Sequence, residues 1–417
     1  MNSHLLFVAR RIPPISTPKV AATRFLTTAT SHSSLCLPAI SVHNACRDSR
    51  RLGQQERQFS SAAVHPPDAT ASPASARPRK MTKDGEPPVT RPSASVVLLS
   101  PSNEILLLHR VKTSTSFASA HVFPGGNVDP YHDGDVPPEG DPDKHRDGPA
   151  YRLCAIRETF EESGILLAKK DGKLVQLPEK KREEARKQIH ARKIKFGDWL
   201  QSIGAISLIP YTRWLTPITV PKRFTTQMYL YLLPLTRHDV PSKMVIPTPD
   251  GGIEHTAALF AAPQAWIKQA RQGEVILFPP QFFILDTVGR HVGGGKPGSL
   301  EEESRRFMQQ RRRLLRFVKE VPTATTALGR AHPSSQVAWA DKVISPLPMY
   351  MRESDGRAVL SLNYPGPELE GTDRVGDFEH VVLTKFGKKG PTGVEVRLRE
   401  EILDEDAQPK EGRLEKL

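Results

Sequence analysis

Apolar residues recur along this chain in blocks, and their spacing changes from block to block. Ala94-Ser95-Val96-Val97-Leu98-Leu99-Ser100 is a nearly unbroken apolar run closed by Pro101-Ser102-Asn103, the pattern of a buried strand and a turn. A second strand follows from Glu104 to His109. Further on the period lengthens: Leu153, Ile156 and Phe160 stand at helical spacing, and Gly164 is a natural stop. Gly164 to Leu177 predicts a strand and a turn at Lys170-Asp171-Gly172-Lys173, and Pro178 to Leu200 a charged helix ending on Phe196, Trp199 and Leu200. Strands are expected over Gln227 to Leu233 and Ala257 to Ala262, with helix starts at Pro263-Gln264-Ala265-Trp266 and after Pro279-Pro280-Gln281. Ser299-Leu300-Glu301-Glu302 is a capping box opening a basic helix to Lys319. Residues 343 to 400 read as a small β-rich tail, preceded by a linker over 321 to 342 and followed by a charged end over 401 to 417.

The stretch between the second strand and the first helix carries the chemistry. Advancing about 100° per residue, Glu158, Glu161 and Glu162 fall within one arc, opposite Leu153, Ile156 and Phe160. Carboxylates so crowded repel one another. A hard divalent cation such as Mg²⁺ or Mn²⁺ would neutralise them, and Arg157, one turn before Glu161, could orient a carboxylate. An ordinary solvated acidic face has the same pattern. The turn Phe123-Pro124-Gly125-Gly126 shifts the balance, because two glycines let bare backbone approach a ligand. Between turn and helix, residues 127 to 149 are dense in Asp, Gly and Pro and read as a polar surface loop.

Composition changes the picture mainly at the amino end. Residues 1 to 62 hold eight Lys or Arg against Asp48 and Glu56, with many Ser and Thr, the composition of a mitochondrial transit peptide; Arg57-Gln58-Phe59-Ser60 resembles a processing site. Matrix import is the expectation, since the terminal Glu415-Lys416-Leu417 is a poor match to a peroxisomal Ser-Lys-Leu ending. Residues 63 to 92, rich in Pro, Ala and Ser, read as a linker. Without the presequence the formal charge of +13 falls to about +7, which suits an anionic substrate and is weak support for nucleic-acid binding. No run of about 18 apolar residues occurs, so no membrane span is expected. Of the three cysteines only Cys154 lies outside the presequence, which excludes a disulfide scaffold and a cysteine-based zinc site. Oligomeric state has no signature in the sequence.

The run Arg157-Glu158-Thr159-Phe160-Glu161-Glu162-Ser163-Gly164-Ile165 resembles the second half of the Nudix box, Gly-x5-Glu-x7-Arg-Glu-U-x-Glu-Glu-x-Gly-U, with Thr159 at an apolar (U) position. The first half departs from it. Gly126 and Arg157 stand 31 positions apart where the motif has 14, and the first motif Glu is missing: His132 and Pro149 occupy the two positions that counting would assign it. Leu106-Leu107-Leu108-His109-Arg110 before Phe123-Pro124-Gly125-Gly126-Asn127-Val128-Asp129, and Trp214-Leu215-Thr216-Pro217 before Arg223-Phe224-Thr225-Thr226, are similar to a coenzyme A diphosphatase branch of that superfamily. That branch also carries a long insertion inside its box.

The resemblance covers roughly residues 93 to 320. It implies an α/β fold, an α/β/α sandwich with a mixed sheet, here with insertions at 127–149 and 178–200 and a β-rich carboxy-terminal extension. It further implies metal-dependent hydrolysis of a nucleoside diphosphate derivative, coenzyme A or acyl-coenzyme A in this branch. ADP-ribose or a dinucleotide as substrate remains open, and so does a non-catalytic role in the mitochondrial ribosome. By the same resemblance Glu158, Glu161 and Glu162 hold Mg²⁺ or Mn²⁺ with the carbonyl of Gly126, Arg157 orients the carboxylates, and the general base is Glu158 or Glu254. Arg110, Lys222 and Arg223 are the candidates to contact substrate phosphates.

Overall fold

The computed structural model describes residues 88–111, 119–235, 255–296 and 298–407. The expected presequence and most of the linker after it lie outside these residues. Strand β1 (Thr90–Leu99) is followed by β2 (Ile105–Arg110), β3 (His121–Val122) and β4 (Gly125–Asn127). Helices α1 (Pro130–Asp133) and α2 (Pro149–Ser163) come next, then the hairpin β5 (Ala168–Lys170) and β6 (Lys173–Leu174). The hairpin turns on Asp171 and Gly172, both at positive φ, as two-residue hairpin loops require. The charged segment over 178–200 forms two helices where one was expected, α3 (Glu179–His190) and α4 (Phe196–Ile203), joined through Arg192 in the left-handed region. Beyond them lie β7 (Ala205–Ile206), β8 (Ile209–Leu215), β9 (Arg223–Leu232), β10 (His255–Ala261), α5 (Pro263–Arg271), α6 (Pro279–Gly289) and α7 (Leu300–Lys319).

The main sheet runs β10-β2-β1-β9-β8-β11, with β3 on β2 and β4 on β1; here β11 is Val343–Ile344. The β1–β9 and β8–β11 pairs are parallel and the others antiparallel, so the sheet is mixed as expected. Its centre, β1, is apolar on both faces because both are covered. Val97 and Leu99 pack with Trp266 of α5, Phe282 and Leu285 of α6 and Leu314 of α7. Val96 and Leu98 pack with Ile156 and Phe160 of α2, Ile189 of α3 and Phe196 and Leu200 of α4. The result is a layer of helices on each side, the α/β/α sandwich.

Other sequence expectations change as well. Strand β1 starts at Thr90, inside the expected linker, because Thr90 to Pro92 continue the parallel ladder with Arg223 to Thr225. The 127–149 insertion is structured: α1 and a 3-10 turn over Pro142–His145 bury His132, Asp133, Lys144 and His145. Residues 321–342 hold α8 (Ala327–Ala331) and short 3-10 turns, with Trp339 buried in the main core. The basic helix α7 forms with its Ser299 capping box, but Arg311 faces inward. Its guanidinium donates to Asn103 Oδ1 (2.7 Å), Leu233 O (2.6 Å) and Ser100 O (2.7 Å), pinning α7 across the turn between β1 and β2.

The carboxy-terminal part adds a second sheet, β12 (Leu347–Met351), β13 (Ala358–Leu362), β14 (Asp377–Gly387) and β15 (Gly390–Leu398), closed by α9 (Arg399–Ala407). Its inner face (Leu360, Val382, Val394) shares one core with α5 and α6, while Val359, Val381 and Leu383 pack on Ile402 of α9. The helix α9 occupies the start of what reads as a charged end, because Ile402 gives it an anchor.

His145 offers a solution check on the structured insertion. Its Nδ1 lies 3.1 Å from Thr225 Oγ1, and burial, with Arg213 beside it, lowers its pKa from 6.5 to about 4; Lys144 and Arg223 act in the same direction and Glu368 against them. The unfolded chain therefore binds a proton at this residue at a pH where the folded chain does not, and stability is lost as pH falls from 6.5 towards 4. The loss reached by pH 5, relative to neutral pH, is about 2 kcal/mol. Melting curves between pH 7 and pH 5 should show a falling midpoint, and His145→Asn should remove part of that slope; an unchanged slope in the variant would place His145 in solvent.

Candidate active site

The site is built where β4 lies against β1 under helix α2. Gly125 sits at φ +155, and a Cβ there would meet Ala94 O at 2.3 Å, so only glycine lets the two strands close. At Gly126 a Cβ would lie 2.4 Å from the Glu158 carboxylate, which rests directly against the bare backbone. Helix α2 begins with Pro149 and ends at Gly164, whose left-handed φ of 72 lets its N–H return to Phe160 O. Between those ends it presents Arg157, Glu158, Glu161 and Glu162 towards β4.

Arg157 is the hub. Its Nε and Nη2 donate to the two oxygens of Asp133 at 2.9 and 2.8 Å, and Nη2 also donates to Asn127 O at 2.9 Å. Nη1 lies 2.9 Å from both Glu158 and Glu161. The Asp133 side chain is fully buried. Burial alone would pull the Arg157 pKa down, but Glu158 and Asp133 push it up further, so the guanidinium stays charged. Burial raises the Glu161 pKa against the opposing pull of Arg157. Glu162 turns the other way: it accepts the Gly125 N–H at 2.8 Å and lies 3.5 Å from His255 Nδ1 at the start of β10. From the second insertion, Arg186 of α3 donates to the Glu161 carbonyl at 3.0 Å and ties α3 to the end of the acidic helix.

These groups open into a cleft of about 740 Å³. Its floor carries Ser93 and Ser95 of β1, Thr226 of β9 and the backbone of β4, and Glu158 stands at one wall. Five cationic residues line it, Arg91, Arg110, Arg157, Arg192 and Lys222, against Asp129 and Glu158. The balance favours an anionic occupant.

The sequence candidates separate clearly. Gly126, Arg157, Glu158, Arg110 and Lys222 line the cleft. Glu161 and Glu162 are not in its lining, but both reach the same constellation, through Arg157 and Gly125 respectively. Arg223 is a correction: it is 1% exposed, donates to Thr216 O at 3.0 Å and Pro88 O at 2.9 Å, and pairs with Glu368 from the carboxy-terminal part. Alternation along β9 turns it away from the cleft while its neighbours Lys222 and Phe224 line it. Glu254 lies outside the described residues. Cys154 is fully buried, and burial raises its pKa well above the usual thiol value, so it packs and does not attack.

Counting along the motif missed Asp133. It supplies the carboxylate that braces Arg157, from a helix inside the insertion, where no fixed spacing would have found it. Arg91 was missed because it stood in the expected linker, whereas Arg192 belongs to a charged run that reads either as a solvated face or as a cap with Lys and Arg facing the pocket, and the cleft lining fits the second.

A divalent cation fits one part of this site. The Glu158 carboxylate and the Gly126 backbone are in contact, both line the cleft, and both offer hard oxygens. Among the described residues no three acidic or imidazole groups converge to enclose a cation. Arg157 holds Glu158 and Glu161, and the Gly125 N–H holds Glu162.

Residues 138–288 match the family model for the NUDT19 Nudix domain. That stretch, with the helix bearing Arg157, Glu158, Glu161 and Glu162 inside it, is thus similar to a Nudix domain. The chain is 29% identical over 238 residues to the acyl-coenzyme A diphosphatase NUDT19 of Gallus gallus, covering 44% of this chain and 60% of that protein. It is 28% identical over 196 residues to "Putative nudix hydrolase 7" of Caenorhabditis elegans, covering 47% and 59%. The chain therefore spans about six-tenths of the length of these curated relatives. A Nudix hydrolase crystal structure from Alicyclobacillus acidocaldarius is 25% identical, with a TM-score of 0.38, covering 48% of this chain and 90% of that one.

The brace on Arg157 can be tested alone. Asp133→Ala leaves a buried guanidinium without its bidentate partner and should lower the unfolding free energy by about 3 kcal/mol in a urea titration. A loss under about 0.5 kcal/mol would mean that Arg157 does not depend on Asp133.

Proposed function

We propose that this protein hydrolyses the diphosphate bond of coenzyme A or acyl-coenzyme A with Mg²⁺ or Mn²⁺. Water adds across the phosphoanhydride, giving phosphopantetheine or its acyl form and adenosine 3′,5′-bisphosphate. The observation that carries this reading is the contact of Glu158 with Gly126 beside buried Arg157, opening into a cation-lined cleft of a NUDT19-type Nudix domain. The name of the Gallus gallus relative supports the substrate class.

Nucleophilic attack on a diphosphate brings an electron-rich oxygen towards phosphoryl oxygens that already carry negative charge. A bound divalent cation would offset that charge and make hydroxide available near neutral pH. Glu158, the Gly126 carbonyl and Glu161 are the groups we assign to hold it, with Glu162 behind them fixing the β4 turn. Arg157 sets the directions of Glu158 and Glu161 and, being buried and charged, holds them in place as substrate binds. Arg110 and Lys222 line the cleft, and we assign them to phosphate oxygens. Glu158 is our choice to take the proton from the attacking water, because its carboxylate stands at the cleft wall. Glu254 is the alternative base.

Incubation with coenzyme A, acetyl-coenzyme A, NADH and ADP-ribose in Mg²⁺ or Mn²⁺ should release phosphopantetheine and adenosine 3′,5′-bisphosphate from the coenzyme A species at the highest rate. Glu158→Gln should lower kcat by at least about 10²-fold while the protein stays folded, with a modest fall in melting temperature from the lost charge beside Arg157. Glu254→Gln should cost less than about ten-fold; the reverse order would move the base to Glu254, and faster release of AMP from ADP-ribose or NADH would overturn the substrate.

We place the reaction in the mitochondrial matrix on the basic, acid-poor composition of residues 1–62. A fluorescent fusion of the full chain should enter mitochondria, and one lacking residues 1–62 should not; equal import of both would sink this placement.

A further inference from the structure

Two cationic side chains of the cleft come from the paired strands rather than from the acidic helix. Arg91 and Phe224 are register partners on the parallel strands β1 and β9, and Lys222 directly precedes β9. All three line the cleft. Arg91 and Lys222 are both exposed, and no ion pair is recorded for either among the described residues.

A third cation arrives from the other side. Arg192, between α3 and α4, adopts φ 55, a left-handed conformation that costs a non-glycine residue of order 1 kcal/mol and persists only where its surroundings hold it. Here they do. The Tyr131 hydroxyl donates to Arg192 O at 3.1 Å, the guanidinium lies 4.8 Å from the Tyr131 ring centroid, and its Nη2 donates to Asp129 Oδ1 at 2.9 Å. The side chain is still 57% exposed and lines the cleft. The exposed pair with Asp129 is weak enough for an incoming anion to compete for the same guanidinium.

We propose that Arg192, Arg91 and Lys222 form a second anion subsite, which takes a phosphate monoester carried by the substrate in addition to the diphosphate that is cut. Two guanidiniums and an ammonium exceed what one carboxylate would need and match a phosphate dianion. The ring of Phe224, partner of Arg91 in the ladder, provides an apolar surface on the same wall for the adjoining nucleoside. This subsite rests on the reading of the cleft as a place where a nucleotide diphosphate is cut, and it makes the 3′-phosphate of the adenosine half the group that selects the substrate. The second insertion then has a definite task, to deliver Arg192.

Calorimetric titration without divalent cations tests the subsite apart from turnover. The probes are adenosine 3′,5′-bisphosphate and adenosine 5′-monophosphate. The unaltered protein should bind the bisphosphate at least about ten-fold more tightly. Arg192→Ala and Arg91→Ala should each reduce that ratio to below about three-fold, chiefly by weakening the bisphosphate. Arg192→Lys, which keeps charge at the same place, should retain part of the preference. A ratio near one in the unaltered protein, or equal weakening of both ligands in the variants, overturns the subsite. A parallel assay compares coenzyme A with dephospho-coenzyme A in Mg²⁺. Equal turnover of the two would sink the subsite and leave the hydrolysis standing. A firm bisphosphate preference with neither compound hydrolysed would sink the hydrolysis and leave the subsite.

Discussion

The active end of this molecule depends on a guanidinium that has been taken out of water. A buried positive charge is costly unless its donors are met, and Arg157 meets them with Asp133 on one side and Glu158 and Glu161 on the other. Each carboxylate is held because the arginine needs it, and the arginine stays charged because the carboxylates are there. Repulsion within the acidic helix, which would weaken it in isolation, becomes a set of fixed positions around one cation. The two glycines of β4 complete the arrangement by allowing backbone where side chains would collide.

Both insertions serve this centre. The first brings Asp133, which braces Arg157 from a short helix packed on α2. The second grips the Glu161 carbonyl through Arg186 and carries Arg192 to the cleft. Segments that look like interruptions of the motif are thus parts of its support.

Much of this was legible in the sequence where a residue's role follows from its neighbours along the chain. The apolar runs of β1 and β2, the period of α2, its stop at Gly164 and the capping box at Ser299 are local patterns, and the structure carries them all. Gly126, Arg157 and Glu158 were legible for the same reason. What escaped was long-range. Asp133 was one acidic residue among several in a polar stretch until α1 packed against α2. Arg223 read as a phosphate contact and Arg311 as a cation on a solvated helix face; strand alternation buries the first and the facing of α7 the second, and each reaches a partner more than 70 residues away, at Glu368 and Leu233. Thr90 to Pro92 looked like linker because the partner that makes them a strand, Arg223 to Thr225, lies far along the chain.

The carboxy-terminal sheet is not an appendage hung on a finished domain. Strand β11 lies parallel beside β8, and the inner face of the second sheet closes over α5 and α6. On the ribosome, then, the upstream part of the chain emerges long before it can complete its own sheet or cover its own helices. The cleft precedes its supports in synthesis, and this order of emergence gives the unfinished chain an apolar flank that must be sheltered until its last quarter arrives.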